Sequence, residues 1–260
     1  MQPFIPDNTP PNRKQAETCQ PLSRDEALAF LAAEPLRHFS IATLVRNASA
    51  VMCHRCGDHL LIRIPEAQGS FVAYAAGTMP VPPALTNLLD GTETLLYVES
   101  DEMEREVACR MPLGHTTNCV QFYLPEEVAV SGDETGIIDL KPEDAPYIHS
   151  HYTYKEVTTV AYLAARIAAA PAVGVMVDGV LAGFVMTHEE MTMGVMHVLP
   201  AYRKLGLATR LNAAMVRRMR ALGLPCIVEI VHDNHASLAL AKSAGFLPLQ
   251  KVHWLHVKKD

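Results

Sequence analysis

A short turn that enters a helix carries the clearest chemistry in the sequence, the binding of an anion. The segment is Arg203-Lys204-Leu205-Gly206-Leu207-Ala208. A glycine turn at a helix start presents unpaired backbone N–H groups to an anion, and the helix dipole adds to the attraction. The turn is neither a Walker loop, G-x-x-x-x-G-K-[ST], nor the dinucleotide fingerprint G-x-G-x-x-G. The residues therefore predict a phosphorylated ligand of another kind.

The charges around this turn agree with an anionic ligand. No acidic residue occurs between Glu190 and Glu229. The basic residues of that interval are Arg203, Lys204, Arg210, Arg217, Arg218 and Arg220. Because the basic island lies at a helix N-terminus of an acidic protein, we expect Arg203 and Lys204 to face a phosphate. The arginines at 217, 218 and 220 are better explained as an exposed helix face.

The composition indicates a folded protein that is not basic. Of the 260 residues, 49% are apolar and 19% are charged, so the chain can bury the core of one or two domains and is not wholly disordered. The 28 acidic and 22 basic residues give a net charge of −6, which disfavours a dedicated nucleic-acid binder. The apolar stretch 160–177 is interrupted by Arg166, Pro171 and Gly174, so we interpret it as a helix and a buried strand rather than a membrane span.

The cysteines are interpreted as free thiols in a reducing, cytoplasmic compartment, because no secretory signal is visible. Cys53 and Cys56 form a C-x-x-C beside His54 and His59, but no second ligand pair follows at matching spacing. No metal site is therefore predicted. The six cysteines are Cys19, Cys53, Cys56, Cys109, Cys119 and Cys226.

A small, acidic turn, Ser131-Gly132-Asp133-Glu134-Thr135-Gly136, divides the chain roughly in half. Residues 1–22 are polar and begin with several prolines, so we interpret them as a flexible leader. The sequence predicts an N-terminal α/β domain at 23–131 and a second domain at 132–260.

The N-terminal half predicts mixed α and β structure without recognisable chemistry. Ser23 as N-cap and Glu26 three residues later predict a helix over 25–33. Strands are predicted at 51–53, 60–64, 71–75 and 93–98, and helices at 83–89 and 101–111.

The C-terminal half predicts the elements that position the turn. Apolar residues at 207, 211, 214, 215 and 222 follow one face of a helix that Gly223 ends. Asp178-Gly179 is a strong hairpin signal between two apolar strands. In chain order we predict a strand at 137–140, helices from 142 and at 157–169, strands at 172–177, 180–186 and 191–198, the helix from 207, a strand at 226–231, a helix from 234 to 244 and a strand at 252–257.

Two segments of this half together resemble a known family. Val198-Leu199-Pro200 followed by the turn 203–208 resembles the acyl-CoA signature of the GNAT superfamily of N-acetyltransferases. The segment from Asn234 to Gly245-Phe246 resembles the second motif of that family. The resemblance covers about residues 137–257 and implies an α/β fold with a mixed sheet.

The layout of the whole chain resembles glycine N-acyltransferase-like proteins and tandem GNAT proteins with one degenerate copy. An α/β half that has no R-x-x-G-x-A turn precedes a complete GNAT half. By this analogy, residues 23–131 form a smaller, degenerate GNAT-like domain that covers the sheet edge and shapes the acceptor site.

The family resemblance implies acetyl-CoA as co-substrate and no metal. The backbone amides of the turn would hold the CoA pyrophosphate, and main-chain groups of Met196 and Val198 would pair with the pantetheine arm. The Val198 N–H would also stabilise the developing oxyanion, and Asn234 would contact the cofactor. The implied cofactor-binding residues are Met196, Val198, Arg203, Lys204, Leu205, Gly206, Leu207, Ala208, Thr209, Asn234 and Ser237.

The residues for proton transfer depart from the family pattern. Ala241 stands where many members have the tyrosine that protonates the leaving thiolate. Since a substrate amine must be neutral to attack, a base is also needed. The candidates are Glu189 and Glu190, in the turn before the strand, and His197, whose ordinary pKa suits a base near neutral pH. A packing role explains His197 equally well.

These features together predict an acyltransferase. It would move an acetyl or short acyl group from acetyl-CoA to a primary amine of a small molecule or amino acid by direct attack. Two alternatives stay open, namely an acyl-CoA-binding regulatory module without turnover and a protein acetyltransferase. The expected partner is a small-molecule amine, with no nucleic acid and no membrane, and a homodimer is left open.

Overall fold

The computed structural model of the protein describes residues 18–66, 69–77, 80–130, 132–155 and 158–258. Residues 1–17 of the predicted leader, Ser131 of the predicted linker and Val157, the predicted start of a helix, lie outside the described residues. The prediction of a flexible leader up to residue 22 is wrong at its end. Gln20–Leu22 is a strand, because its residues pair in register with Cys53, His54 and Arg55.

All the described strands belong to one mixed sheet. In chain order they are β1 (Gln20–Leu22), β2 (Met52–Cys56), β3 (His59–Glu66), β4 (Gly69–Ala75), β5 (Glu93–Val98), β6 (Leu113–Leu124), β7 (Ile137–Asp139), β8 (Ala172–Val177), β9 (Val180–Thr187), β10 (Met193–Val198), β11 (Cys226–Val231) and β12 (Leu247–Val257). Their order across the sheet is β1-β2-β3-β4-β5-β12-β6-β11-β10-β9-β8-β7. The pairs β4–β5 and β10–β11 are parallel, and the other neighbouring pairs are antiparallel.

Helices pack against this sheet, and the predicted α/β class with a mixed sheet is confirmed. The described helices are α1 (Arg24–Leu31), α2 (Phe39–Asn47), α3 (Pro83–Thr86), α4 (Asp101–Arg110), α5 (Ala145–His151), α6 (Val160–Ala169), α7 (Leu207–Ala221) and α8 (His235–Ser243). The predicted capping box of α1 is present, because the Glu26 N–H donates to Ser23 Oγ and the Ser23 N–H donates to Glu26 Oε2.

The sheet continues across the predicted boundary at 131/132. β6, which precedes the boundary, lies between β11 and β12, which both follow it. β12 and β6 pair from Leu247↔Tyr123 to Val257↔Leu113, and β12 also pairs with β5 on its other side. The ranges 23–131 and 132–260 therefore share one sheet, and the boundary does not divide it.

The sequence analysis assigned no strand to β6 and no helix to α2. The first part of β6 is polar and lines a cavity rather than the core. Its polar residues are His115, Thr116, Thr117 and Asn118. Such a strand lacks the apolar alternation that marks a half-buried strand in sequence.

The core of the C-terminal half lies between α7 and strands β8 to β11. Leu211, Met215 and Met219 of α7 are fully buried in it. Leu222 was predicted on the same face, but it is 61% exposed. Since α7 ends at Ala221, residue 222 no longer follows the helical period. The predicted Asp178-Gly179 hairpin joins β8 and β9, with φ of 49° and 78° at the two residues.

Two of the six cysteines are not free thiols, which corrects the sequence analysis. Cys19 and Cys56 form a disulfide that ties the start of β1 to the end of β2. Cys53, Cys109, Cys119 and Cys226 are free. Within the described residues no cluster of three or more His, Cys, Asp or Glu side chains could hold a metal ion. No described helix combines the length and the apolar character that crossing a bilayer requires.

Candidate functional site

The parallel strands β10 and β11 separate and leave a cleft between them. In the described chain they pair at one position, Met193↔Val228. The register of β10 against β9 shifts between Gly194 and His197, and Val195 has a positive φ of 45°. A bulge of this kind bends its strand. β10 therefore leaves β11 after Met193, and we call the space between them the cleft.

Backbone groups of β10 face the cleft. The Leu199 N–H donates to Ala182 O of β9 at 2.9 Å. Because antiparallel residues alternate in the direction of their backbone groups, those of His197 also face β9, whereas those of Val198 and Met196 face the other way. The Val198 carbonyl accepts a hydrogen bond from Arg203 Nε at 3.1 Å. The Val198 N–H is the other backbone group of this residue, and it can donate to a ligand in the cleft. This placement agrees with the roles that the family resemblance implies for Met196 and Val198.

The predicted anion-binding turn lies at the start of α7. Gly206 is the N-cap with a φ of 74°, and a Cβ added to it would meet no atom within 4 Å. The first helical hydrogen bond runs from the Arg210 N–H to Gly206 O, so the N–H groups of residues 207–209 have no acceptor within the helix. Residues 203–206 are exposed. The turn thus offers free donors and open space to an anion.

The other arginines of α7 hold the chain from residue 125 to the end of β7. Arg217 Nε donates to Glu134 Oε1 at 2.6 Å, and Arg218 Nε donates to Asp139 Oδ1 at 3.0 Å. Arg220 donates to two backbone carbonyls at 125 and 128, and Arg210 bonds to Asp133 and Thr135. The prediction of an exposed helix face is therefore wrong for Arg217, Arg218 and Arg220, which are half-buried because they hold other parts of the chain. Arg210 has a similar role.

A cavity of about 1070 Å³ opens at the cleft and extends under the N-terminal half. Its walls include predicted site residues from both sides of the cleft. These are Glu189, Glu190, Met196, Asn234 and Ser237. The cavity wall does not include His197, Val198 or the turn 203–209. The turn and the cavity therefore lie at different positions along the cleft.

Two carboxyl groups line the cavity, namely the buried Glu190 and the half-buried Glu229. Glu190 is 5% exposed and accepts the Thr192 hydroxyl at 2.6 Å. Burial raises the pKa of Glu190 to about 7, and burial together with the charge of Glu190 raises the pKa of Glu229 to about 7. Each carboxyl can therefore accept a proton near neutral pH. Glu189, the neighbouring candidate, is exposed.

Glu229 is a site residue that the sequence analysis missed. Its Oε1 accepts from Ser40 Oγ, Tyr97 OH and Gln121 Nε2, at 3.0, 2.9 and 3.1 Å. Its Oε2 accepts from Trp254 Nε1 at 3.0 Å. Three of these donors come from the N-terminal half. The sequence does contain a signal, because Glu229 is the one charged residue of the apolar strand 226–231.

A histidine and a tyrosine also line the cavity beside the cleft. The His188 ring packs against the backbone of Gly194, where a Cβ would lie 2.2 Å from its ring nitrogen Nε2 if the ring did not move. Tyr162 OH lies 3.4 Å from His188 Nδ1. Burial lowers the pKa of His188 and raises that of Tyr162. Both side chains are therefore neutral near pH 7, and the Tyr162 hydroxyl can donate a hydrogen bond to the His188 ring.

His197 lies on the other face of β10. Its ring stacks on Phe184 at 5.7 Å between centroids, and its Nδ1 lies 3.1 Å from Thr153 Oγ1. Burial, together with Arg203 and His151, lowers its pKa. These contacts agree with the packing interpretation of His197. Its catalytic role stays a prediction.

The start of α8 forms the far wall of the cleft. Asn234 caps this helix by accepting the Ser237 N–H at 3.1 Å, and both residues line the cavity. Ala241 is buried and also lines it. Three tyrosines reach the cavity, namely Tyr152 and Tyr154 from the connection between α5 and α6, and Tyr162 from α6.

Comparisons with known proteins agree with this geometry. Residues 135–246 match the acetyltransferase (GNAT) family. A Drosophila protein of solved structure superposes with a TM-score of 0.73 at 18% identity, over 93% of this chain and 99% of its own. A GCN5-related N-acetyltransferase from Kribbella flavida gives 0.58 at 12% identity, over 86% and 95% of the two chains. An acetyltransferase from the GNAT family of Colwellia psychrerythraea gives 0.53 at 13% identity, over 93% and 100%.

At these identities the solved structures show the fold alone, and they show it over most of the chain. No curated protein matches the sequence. The interpretation of residues 23–131 as a degenerate GNAT copy stays a prediction.

Proposed function

Because residues 135–246 form an acetyltransferase domain of the GNAT family, we propose that the protein transfers an acetyl or short acyl group from acetyl-CoA to the primary amine of a small molecule. The observation that carries the proposal is the cleft between β10 and β11. It joins the exposed turn at the start of α7, where we expect phosphate to bind, to a cavity lined by the carboxyl groups of Glu190 and Glu229.

The residues of the cleft fit an acyl-CoA. The N–H groups at the start of α7 and the open space at Gly206 suit the pyrophosphate. The backbone groups of Met196 and Val198 can pair with the pantetheine amides as a neighbouring strand would. Asn234 and Ser237 lie on the opposite wall. Acetyl-CoA, when bound, supplies a thioester that a neutral amine can attack.

The carboxyl pair Glu190 and Glu229 suits the removal of a proton from the amine. A primary amine enters mostly as its ammonium form at neutral pH and must lose a proton to attack. A carboxylate whose pKa is raised to about 7 is a stronger base than an exposed one. The ammonium first gives one proton to the carboxyl pair. The neutral amine nitrogen then bonds to the acyl carbon, the carbon–sulfur bond breaks, and the second proton that leaves the nitrogen ends on the departing thiolate, so that an amide and the free thiol of CoA are formed. The Val198 N–H donates to the oxygen on which negative charge develops.

The cover over the cavity favours a small acceptor over a protein. Residues of the N-terminal half, among them Leu44, Asn47 and Phe71, form the wall opposite the cleft. A small amine fits wholly within a cavity of about 1070 Å³.

A regulatory module that binds acyl-CoA without turnover is the second candidate. The alanine at 241 favours it, because no tyrosine at that position can protonate the leaving thiolate. Tyr152, Tyr154 and Tyr162 offer other hydroxyl groups along the cavity. Burial raises the pKa of Tyr152 to about 12, so its hydroxyl keeps its proton at neutral pH.

The proposal is tested by two measurements on the full chain. Calorimetry with acetyl-CoA measures binding, and a thiol-release assay over a panel of primary amines measures transfer. We expect saturable binding and an amine-dependent release of free CoA. Binding without release for any amine supports the regulatory module, and an absence of binding overturns both candidates.

A further inference from the structure

The cavity extends past the carboxyl pair into an apolar region that acetyl transfer by itself does not require. This region, which we call the apolar lobe, is formed by Leu44, Ala48, Ile64, Phe71, Leu95 and Trp254. All six residues lie outside the segment 135–246 that matches the acetyltransferase family. The part of the chain that shapes this lobe is therefore not the part that carries the family motifs.

Trp254 connects the apolar lobe directly to the carboxyl pair. Its indole N–H donates to Glu229 Oε2 at 3.0 Å, while its ring lies 6.2 Å from the Phe71 ring. Tyr97 contacts the same indole edge-to-face at 4.7 Å, so the ring is held in place from another side. A ligand that places a charged group at Glu229 therefore lies within about one ring length of an apolar, partly aromatic surface of the protein.

The charges along the described cavity wall favour a cationic ligand without an acidic group. The wall contains carboxyl side chains at 66, 189, 190, 229 and 233. Its arginine, Arg166, already donates to the Thr187 backbone carbonyl and hydroxyl, at 3.3 and 3.2 Å. The wall also holds His115, His188, His232 and His256, and burial lowers the pKa of His188 and His256. A carboxylate on the ligand would thus meet five carboxyl groups, and the one arginine of the described wall is already engaged by Thr187.

We propose that the acceptor is a small primary amine with an apolar body about the size of one ring and with no carboxylate. Its ammonium group lies between Glu190 and Glu229, and its body packs on Trp254 and Phe71. This inference rests on the proposed acetyl transfer and names its acceptor class. Apolar contact holds the body. The five carboxyl groups of the wall repel a ligand that carries a carboxylate of its own, which disfavours amino acids.

The first test measures the binding of four matched probes to the full chain without acetyl-CoA. 2-Phenylethylamine has the ammonium and the ring, propylamine lacks the ring, 2-phenylethanol lacks the charge, and phenylalanine adds a carboxylate. We expect 2-phenylethylamine to bind best in calorimetry. Each of the other probes should bind about 10-fold or more weakly, which is the loss expected for one ring or one charge.

The second test fills the apolar lobe. Ala48→Phe should lower the affinity for 2-phenylethylamine about 10-fold or more, because the larger side chain occupies the space of the ring. The affinities for propylamine and acetyl-CoA should stay unchanged. Asn47→Trp, at an exposed wall position, should act in the same direction if Ala48→Phe fails to fold. Ala33→Phe is the matched control, because Ala33 is exposed and lies outside the wall, and it should change neither affinity.

The outcomes separate this inference from the proposed function. Binding of phenylalanine as tight as that of 2-phenylethylamine overturns the acceptor class. The acceptor class is also overturned if a lobe-filling variant lowers the affinity for butyryl-CoA but not the affinity for 2-phenylethylamine. The apolar lobe would then hold an acyl chain. If the expected amine ranking appears but no free CoA is released, the acceptor site stands and the proposed transfer fails.

Discussion

Two neighbouring parts of the sheet differ in how far their strands pair, and this difference locates the chemistry. β10 and β11 pair at one described position and then part to form the cleft. β12 and β6 pair along nearly their whole length, from Leu247↔Tyr123 to Val257↔Leu113, and we call this the seam. Strands that separate leave backbone groups for a ligand, whereas strands that pair fix side chains relative to one another.

The seam supplies what the cleft cannot. Glu229 lies on β11 at the cleft, but its hydrogen-bond donors Tyr97, Gln121 and Trp254 lie on β5, β6 and β12. A carboxylate placed in a buried site needs such donors, because an unpaired buried charge is costly. The comparison teaches that the proposed active site belongs to both halves, although the family motifs lie in one.

The largest expected effect comes from removing the seam. A fragment of residues 132–260 lacks β6, so β11 and β12 lose the strand that lies between them. We expect no cooperative thermal unfolding of this fragment in circular dichroism. A fragment of residues 113–260 restores β6 and is the matched comparison. Cooperative unfolding of the shorter fragment would show that the C-terminal half folds without the seam.

The next largest effect is expected at the carboxyl pair. Replacing Glu190 or Glu229 with Gln keeps the size of the side chain but removes its basicity, so kcat should fall about 10²–10⁴-fold. Acetyl-CoA affinity should change little. Glu189→Gln is the control, because Glu189 is exposed. If kcat fell as far in Glu189→Gln and stayed unchanged in the other two variants, Glu189 would be the base.

The pH–rate profile sharpens this prediction. Since the base must be deprotonated, kcat should rise with pH through about 7 and then level off. The variant that removes the base should lose this rise. Loss of the rise in His197→Ala alone would assign the base to His197.

The cleft itself is tested at the turn that precedes α7. Gly206→Asp places a negative charge at the helix N-terminus where phosphate is expected, so acetyl-CoA affinity should fall about 100-fold or more. Gly206→Asn is the matched control, because it has nearly the same size and meets the same positive φ of 74° without the charge. Equal affinities of the two variants in calorimetry would contradict a phosphate at this turn.

A smaller effect is expected on stability as a function of pH. The pKa of Glu229 in the folded state lies above its ordinary value of 4.5, at about 7, so the folded state binds more protons than the unfolded state between these two pH values. Its contribution is present below pH 4.5 and is lost as the pH rises to about 7, by on the order of 3 kcal/mol. Denaturant unfolding of Glu229→Gln should show a flatter dependence than the unchanged chain over this range. An unaltered slope would mean that Glu229 titrates near its ordinary pKa.

The smallest effect is expected at His197. Its ring packs on Phe184 and lies outside the cavity wall, so His197→Ala should lower kcat less than about 10-fold. Phe184 is fully buried and loses a stacking partner, so a modest fall in thermal stability should accompany the change. A fall in kcat as large as that of Glu190→Gln would reverse the assignment.

The elements that could be predicted from the amino-acid sequence are those whose signals are local. The capping box at Ser23, the Asp178-Gly179 hairpin and the helix that begins after Gly206 each depend on residues a few positions apart. The same holds for the resemblance around residues 198–208, and the family match to 135–246 agrees with it. Met196, Glu190 and Asn234 could be named as site residues because they lie within or beside those motifs.

Features that depend on contacts between distant parts of the chain became visible in the folded structure. The place of β12 between β5 and β6, and the disulfide between Cys19 and Cys56, join residues that no local pattern relates. The polar strand β6 was missed because its first residues face a cavity that the sequence does not show. Glu229 becomes a candidate base since burial, four donors and the nearby Glu190 act on it together, and each of these comes from a different part of the chain.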